Sequence, residues 1–386
     1  MCKLRTCEHL LAARRWHVAF PSGPRPALDG DLMRPSYSFT LQAVMCIVGF
    51  APAGTAAEHP VAAVIETTLA TAPGHIRQFA FDGDAESYFA SEGNAGSADH
   101  FTLVLDKPVA VKSIVVTTGK PRGGDQLDAG ALEVSADGQK FGRQASFSHG
   151  EARARLDGKQ VKMIRIKPTS DLKHPLAIRE IQLESEPPVA VFKYPVEIFV
   201  NVSDAPELKD WAQKAARICE RQYPLICTDL ASDGFKPRNE IQMTLSKGYD
   251  GVAATGGGRI TGSVKYFKAH PDDLGAIVDE TVNVVQCYEG QGNPDWLVEG
   301  IADYERFFKY EPGNLGPINP RRARYDGSYR VTAAFLAYLT EKHDKEIVRK
   351  LNAAMRQGKY KAELFKELTG KSVEELNEEW RASLNK

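Results

Sequence analysis

The sequence predicts a chain of two domains, a β-sandwich followed by an α+β unit, and three observations carry that reading. Residues 60–186 hold short β-branched runs separated by turn signals. Residues 184–188, Glu-Ser-Glu-Pro-Pro, put two prolines behind the last of those runs and stiffen a connector. Beyond it, strand-like runs alternate with stretches whose apolar residues recur at helical spacing. A chain of 386 residues with 42% hydrophobic content is long enough to bury two ordinary cores. Lys and Arg number 49 against 50 Asp and Glu, so the near-zero net charge gives no electrostatic ground for a nucleic acid or an anionic membrane as partner.

The start of the chain reads as processing signal rather than fold. From Met33 there is one basic residue, an apolar stretch to Phe50, and then Ala51-Pro-Ala-Gly-Thr-Ala-Ala57, small residues of the kind signal peptidase prefers. The apolar run is too short to span a bilayer, so no transmembrane segment is expected. Residues 1–57 are assigned to a leader cleaved near Ala57, with residues 1–32 an upstream extension; a disordered tail with a short buried helix is the alternative. The reading expects a secreted or periplasmic protein. Removal of Cys2, Cys7 and Cys46 with the leader leaves Cys219, Cys227 and Cys287. A Cys219 to Cys227 bridge would tie a helix end to a following strand and leave Cys287 as a buried structural thiol.

Residues 58–186 form the first domain. Its strand signals are Phe101-Thr-Leu-Val-Leu105, Val111-Lys-Ser-Ile-Val-Val-Thr-Thr118, Leu132-Glu-Val-Ser135, Val161-Lys-Met-Ile-Arg-Ile-Lys167 and Ile178-Arg-Glu-Ile-Gln-Leu183. Ala136-Asp-Gly138, Leu156-Asp-Gly158 and Gly123-Gly124 supply turns between many of them. Strands this short at this spacing imply a sandwich.

The order Phe81-Asp-Gly-Asp84, Tyr88-Phe89, Ser91, then Phe101 to Leu105, Leu132-Glu-Val-Ser-Ala-Asp-Gly138 with Phe141, and Ile178 to Leu183 resembles a coagulation-factor C-type or discoidin domain. The resemblance implies a galactose-binding-like jelly roll that takes a glycan or cell-envelope ligand through loops at one end. It also implies a structural calcium near the Phe-Asp-Gly-Asp turn, with Asp82 and Asp84 as candidates. The plain alternative is an ordinary turn, in which Gly83 supplies the backbone angle and Asp bonds nearby amides. Tyr88, His100 and the loop from Lys120 to Asp125 are available for sugar contacts.

After a linker at 187–193, the second domain runs from 194 to 386. Val196-Glu-Ile-Phe-Val200 reads as its first strand, residues 208–223 as an amphipathic helix, and Ile241-Gln-Met-Thr-Leu245 as a further strand. Arg259-Ile-Thr-Gly-Ser-Val264 reads as an edge strand lining a cleft. Gly256-Gly-Gly258 lacks phosphate-loop spacing and reads as a turn. From Val331 onward the chain is helical, with Phe335, Leu336 and Leu339 on one face and Leu364, Phe365 and Leu368 on another.

The chemistry concentrates between residues 276 and 304. Ala276-Ile-Val-Asp-Glu-Thr-Val-Asn-Val-Val-Gln286 has a buried helical stripe at Ile277, Val284 and Val285, with Gly275 and Gly290 at its ends. A second helix starts near Pro294 and carries Glu299 and Asp303 four residues apart, hence on one face. Asp279-Glu-Thr-Val-Asn283 has the spacing of His-Glu-x-x-His, in which two imidazoles four apart hold a metal and the Glu activates its water. Only Glu280 of that set is present.

Val284-Val-Gln286, Trp296-Leu-Val-Glu-Gly-Ile-Ala-Asp-Tyr304 and Asp326-Gly-Ser-Tyr-Arg-Val-Thr-Ala-Ala-Phe-Leu336 resemble the basic secretory protein family of plants and bacteria, over roughly residues 194–386. The resemblance implies an α+β zincin-like metallopeptidase domain of the gluzincin type, with zinc as cofactor and a peptide or protein in the cleft. Carried onto this chain, Asp279 and Asn283 stand at the histidine positions, Glu280 is the general base, Glu299 the third ligand and Asp303 its supporting carboxylate. Without imidazoles the set is poorer for zinc, so weak zinc binding or none is expected, and a peptidase scaffold without catalysis. The alternative is a hydrolase with an oxygen-rich site for Ca, Mn or Mg, built from Asp279, Glu299 and Asp303 or His270. Tyr329 and Arg330 are candidates to stabilise an oxyanion, with packing as their plainer role.

Overall fold

The structure is a computed structural model and describes residues 60–288 and 292–384. The leader, with Met33, Ala57, Cys2, Cys7 and Cys46, lies outside the described residues, as does Gly290.

The first seven strands are β1 (Ala63–Thr67), β2 (Phe89–Asn94), β3 (Phe101–Thr118), β4 (Gly130–Ser135), β5 (Gly142–Ser146), β6 (Glu151–Pro168) and β7 (Pro175–Glu186). They pair in the order β2-β7-β3-β6-β4-β5, with β1 added against β3. The sandwich arises because β3 and β6, each 18 residues long, bend where their mutual register shifts, between Val104 and Val109 and between Val111 and Ser113. Before the bend β3 pairs with β1, Ala63 opposite Leu105; after it β3 pairs with β7, Ile114 opposite Leu183. One strand thus serves both layers. Between them lies a core of Phe81, Phe89, Phe101, Leu103, Ile114 and Ile166, all fully buried.

Two sequence expectations change here. The runs at 101–105 and 111–118 are one strand. Asp157 and Gly158 do not separate two strands; with φ of 48° and 90° they form the irregularity inside β6 opposite Lys112. β1, β2 and β5 were not legible as strands.

The second unit contains β8 (Glu197–Asn201), α1 (Lys209–Asp229), β9 (Glu240–Ser246), β10 (Ala253–Gly256), β11 (Arg259–Ser263), α2 (Val264–Ala269), α3 (Gly275–Gln286) and α4 (Asp295–Tyr304). A π-helical stretch, Glu305–Tyr310, extends α4, and α5 (Tyr329–Lys342), α6 (Ile347–Arg356), α7 (Leu364–Thr369) and α8 (Val373–Ser383) follow. The sheet runs β10-β11-β9-β8, with β8, β9 and β11 parallel and β10 antiparallel to β11. The edge is therefore β10, not the 259–264 strand. Gly257 and Gly258, at φ of 58° and 75°, turn the chain back as a hairpin and so place β10 outside β11.

Helix α1 continues through Pro224 to Asp229, past the Tyr223 end expected from sequence. Cys219 and Cys227 therefore lie on one helix, separated by about 12 Å of rise at 1.5 Å per residue, too far for a bridge. Burial pushes both thiols up to about 12. Cys287, expected buried, is exposed and caps α3 in the left-handed region at φ 42°. Helix α3 is buried on most of its surface, including Ile277, Val278, Val282, Val284 and Val285. Gly300 lets α4 meet α5 closely, since a Cβ there would stand 2.1 Å from Thr332 Cγ2.

The sandwich and the second unit share a polar seam. Val196 N donates to Gln78 Oε1 at 2.8 Å, Gly74 N to Glu240 Oε1 at 2.7 Å, and Arg221 pairs with Asp106 at 2.6 Å. At its centre Arg77 reaches Glu197 on β8 at 3.2 Å and Glu220 on α1 at 2.9 Å. Among the described residues no helix is long and apolar enough to cross a membrane.

Candidate functional site

The motif helix α3 is held rigidly at its C-terminal end. Arg356 donates from Nη2 to Val285 O at 2.9 Å and from Nε to Gln286 O at 3.1 Å, so a cation answers the helix dipole while satisfying end carbonyls. Gln286 Nε2 donates to Val298 O at 2.8 Å and sets α3 against α4. From the other side Thr255 Oγ1, on edge strand β10, donates to Glu280 O at 2.9 Å.

This scaffold brings the motif residues together. Asn283 Nδ2 points to Glu299 Oε2 at 3.5 Å, and the side chains of Asp279 and Asp303 are hydrogen-bonded to each other. Burial, then the neighbouring charges of Asp303, Glu280 and Glu299, holds Asp279 well above the usual carboxylate range. Burial and Glu280 push Glu299 up to about 7. Asp303 rises to about 6, because burial outweighs the opposing pull of Arg306 and Arg330. Glu280 is 9% exposed and also raised, by burial, against hydrogen bonds with Thr255 and Asn283.

Three oxygens on this turn, Asp279 Oδ1, Glu280 Oε2 and Asn283 Oδ1, are sealed from solvent without a hydrogen-bond partner. The donor set does not fit zinc as the resemblance implies it. An amide occupies one histidine position and leans on Glu299, a carboxyl occupies the other and pairs with Asp303, and no imidazole is present. Among the described residues no group of three or more His, Cys, Asp or Glu is gathered to hold a metal ion. His270 is exposed and packs on the Tyr266 ring at 4.5 Å, as the loop residue between α2 and α3.

Tyr329 and Arg330 lie within electrostatic range of these carboxyl groups, and Arg330 sits over the Phe307 ring at 4.7 Å. At the start of α5, Tyr329 is raised by burial and by Glu299, Asp295 and Asp303, and Arg330 lowers Asp303. Sequence reasoning missed Arg306, Tyr249 and Thr255. Arg306 bonds Asp273 and Glu311, each at 2.6 Å, and counters the charge of Asp279. Its spacing of three from Asp303 was a usable signal. Tyr249 senses the charge of Glu280 from the loop before β10, and nothing local in the sequence announces that.

In the sandwich, the Asp82 turn is crowded with oxygen. Ser87 Oγ lies within 3.3 Å of Phe79 O, Asp82 Oδ1, Asp82 Oδ2 and Asp84 O. A hydroxyl has one proton, so at most one of these four contacts is a full hydrogen bond. Glu180, missed from sequence, completes the cluster: Gly83 N donates to its Oε2 at 3.1 Å, and burial together with Asp82 pushes it up to about 7. Asp84 faces partly away, accepting from Glu86 N at 2.9 Å.

Of the candidate sugar-contact residues, Tyr88 stacks on His75 at 4.1 Å and lies near enough to Lys120 to affect its charge. Lys120 pairs with Asp125 at 2.7 Å, and Arg179, next to the Ile178 that pairs with Phe89, donates to Lys120 O at 2.9 Å. His100 is engaged elsewhere, with Thr102 Oγ1 at 3.0 Å.

Residues 196–380 match the family described as "Peptidase of plants and bacteria". No curated protein matches the chain. Among solved structures, CBM32-1 from a family 31 glycoside hydrolase of Clostridium perfringens is 18% identical, with a TM-score of 0.28; the match covers 31% of this chain and 92% of that one. The lectin domain of lectinolysin, complexed with Lewis B antigen, is 16% identical over 31% of this chain and 91% of its own, with a TM-score of 0.28. A fucose-binding module of Streptococcus pneumoniae is 14% identical over 31% and 92%, with a TM-score of 0.27.

Proposed function

We propose that this chain is an exported glycan- or cell-envelope-binding protein whose second domain, residues 194–386, keeps a peptidase scaffold without hydrolysing peptides. The observation that carries the reading is the pairing inside the α3–α4 site. Asn283 leans on Glu299 and Asp279 pairs with Asp303, so the side chains at the metal-ligand positions are turned on one another. A Glu in the position of Glu280 has no activated water to deprotonate unless a Lewis acid sits beside it. Support for glycan binding comes from the sandwich, where the half-exposed Tyr88 ring stands among His75, Lys120 and Arg179. The reading is tested by asking whether the full chain cleaves peptides in a Glu280-dependent way.

A second reading is favoured by the three sealed, unpartnered oxygens on α3. A hard, oxygen-seeking cation such as Ca, Mn or Mg would satisfy them, with Glu299 beside it, and would restore a hydrolase. Glu280-dependent cleavage that needs such a cation would select this reading.

In the sandwich the oxygen cluster at Ser87 suits calcium, with Asp82, Glu180 and the carbonyls of Phe79 and Asp84 as the oxygen set. Calcium added to the chelator-treated chain should stabilise the folded state by about 2.7 kcal/mol at 100 times its Kd. Thermal unfolding with and without calcium reads this directly. Asp82→Asn and Glu180→Gln should each remove the shift, and an unchanged midpoint in the parent chain would rule the ion out.

A further inference from the structure

Away from the paired carboxylates of α3 and α4, a cavity of about 320 Å3 lies between the end of α1, the π-helical stretch after α4 and the start of α6. Its floor is acidic. Glu305 is 3% exposed, its Oε1 is sealed without a hydrogen-bond partner, and its carboxyl group bonds that of Asp229. Glu305 is also the first residue of a six-residue π-helix, a conformation that is rare and concentrates at functional sites. The rim is cationic. Lys309, paired with Asp229 at 3.5 Å, and the exposed Lys345 and Arg349 line the mouth, with Glu346 bonded to Arg349.

These features narrow the ligand. An anion alone would leave the orphan oxygen of Glu305 unanswered and would meet two carboxyl groups at the floor. A metal ion would find only Glu305 and Asp229 at the floor, since Glu346 is bonded to Arg349. A primary ammonium has three donors, enough for Glu305 Oε1 and Asp229 together. A carboxylate on the same molecule would then reach the guanidinium and ammonium at the rim. The volume is at the lower end of small-molecule sites, which suits a ligand of amino-acid or dipeptide size.

We propose that this cavity binds a small zwitterion, an α-amino acid or dipeptide, with its ammonium on Glu305 and Asp229 and its carboxylate on Lys345 and Arg349. The site is separate from the α3–α4 pair and stands whether or not that pair has activity.

Isothermal titration of the full chain with each of the twenty α-amino acids and with diglycine tests it. At least one should bind one-to-one with a Kd below about 1 mM, and butylamine and acetate, which each carry half of the ligand, should bind at least about tenfold more weakly. Glu305→Gln keeps the shape of the buried side chain and should weaken binding at least about tenfold. Arg349→Ala, at an exposed position where folding is not at stake, should do the same. No binding by any probe at 10 times that concentration would overturn the proposal. So would acetate binding as tightly as the amino acids, or affinity that both substitutions leave unchanged.

Discussion

The double substitution Asp279→His with Asn283→His should give the chain a zinc site, raising zinc affinity over the parent by at least about 1,000-fold, or about 4 kcal/mol. The two positions are four apart on α3 and so share a face, and α3 is fixed at both sides by Arg356, Gln286 and Thr255. A side chain at 283 already approaches Glu299, which the family resemblance puts at the third ligand position. A histidine at 279 would find Asp303 in place to accept its second ring N–H, the arrangement that orients metal-bound imidazoles. The substitution also removes one of the crowded carboxyl groups. Two imidazoles, Glu299 and an open position make up the usual catalytic zinc set. Zinc titration against a chromophoric chelator checks it, with circular dichroism confirming that the variant folds. A folded variant no better than the parent would show that α3 and α4 are not arranged as a metal-binding pair.

Arg77→Ala should cost about 3–5 kcal/mol of stability, the largest loss expected from any single polar side chain in the seam between the two domains. Arg77 belongs to the sandwich, while its partners Glu197 and Glu220 begin the second unit, and all three are nearly buried. Glu220 also accepts from Ile198 N at 2.8 Å and Glu197 from Thr71 Oγ1 at 2.8 Å, so neither carboxyl can turn to solvent when the guanidinium leaves. Burial already pushes Glu220 up to about 7 even with Arg77 present. Taking up a proton would relieve part of the loss, which places the lower end of the range nearer neutral pH and below. Arg77→Lys keeps the charge but replaces the guanidinium whose Nη2 reaches both carboxylates, and should lose an intermediate amount. Urea unfolding followed by tryptophan fluorescence gives the midpoints. A loss under about 1 kcal/mol for Arg77→Ala would mean that the domains fold independently of this contact.

How far the sequence reached depends on the range of the interaction. β-branched runs at 101–105, 111–118 and 161–167 announced parts of β3 and β6, and spacing of four announced that Glu299 and Asp303 share a face, because both signals are local. The boundaries failed where tertiary context wins. Pro224 was read as a helix end, yet α1 runs on because Ile226, Cys227 and Leu230 are buried beyond it. Asp157-Gly158 was read as a turn, yet the pairing of β3 with β6 carries the strand across it. Cys287 was read as a buried structural thiol because free cysteine is among the most buried residue types, but it falls on the cap, where α3 has already ended. In the site, the deviant motif was visible, while its settings were not. Thr255 meets α3 from 25 residues away, Arg77 meets Glu220 from 143 away, and Glu180 meets Gly83 from 97 away. No local pattern encodes such pairs. The approach of Asp279 to Asp303 and of Asn283 to Glu299 likewise follows from α4 packing beside α3.

The central claim, a peptidase scaffold without peptide hydrolysis, is tested most directly by mass-spectrometric analysis of a peptide library incubated with the purified full chain. Zinc, calcium, manganese and magnesium are each supplied in turn, and Glu280→Gln runs in parallel. Both proteins should give the same background products under every condition. Cleavage by the parent chain that disappears in folded Glu280→Gln and on chelation would contradict it.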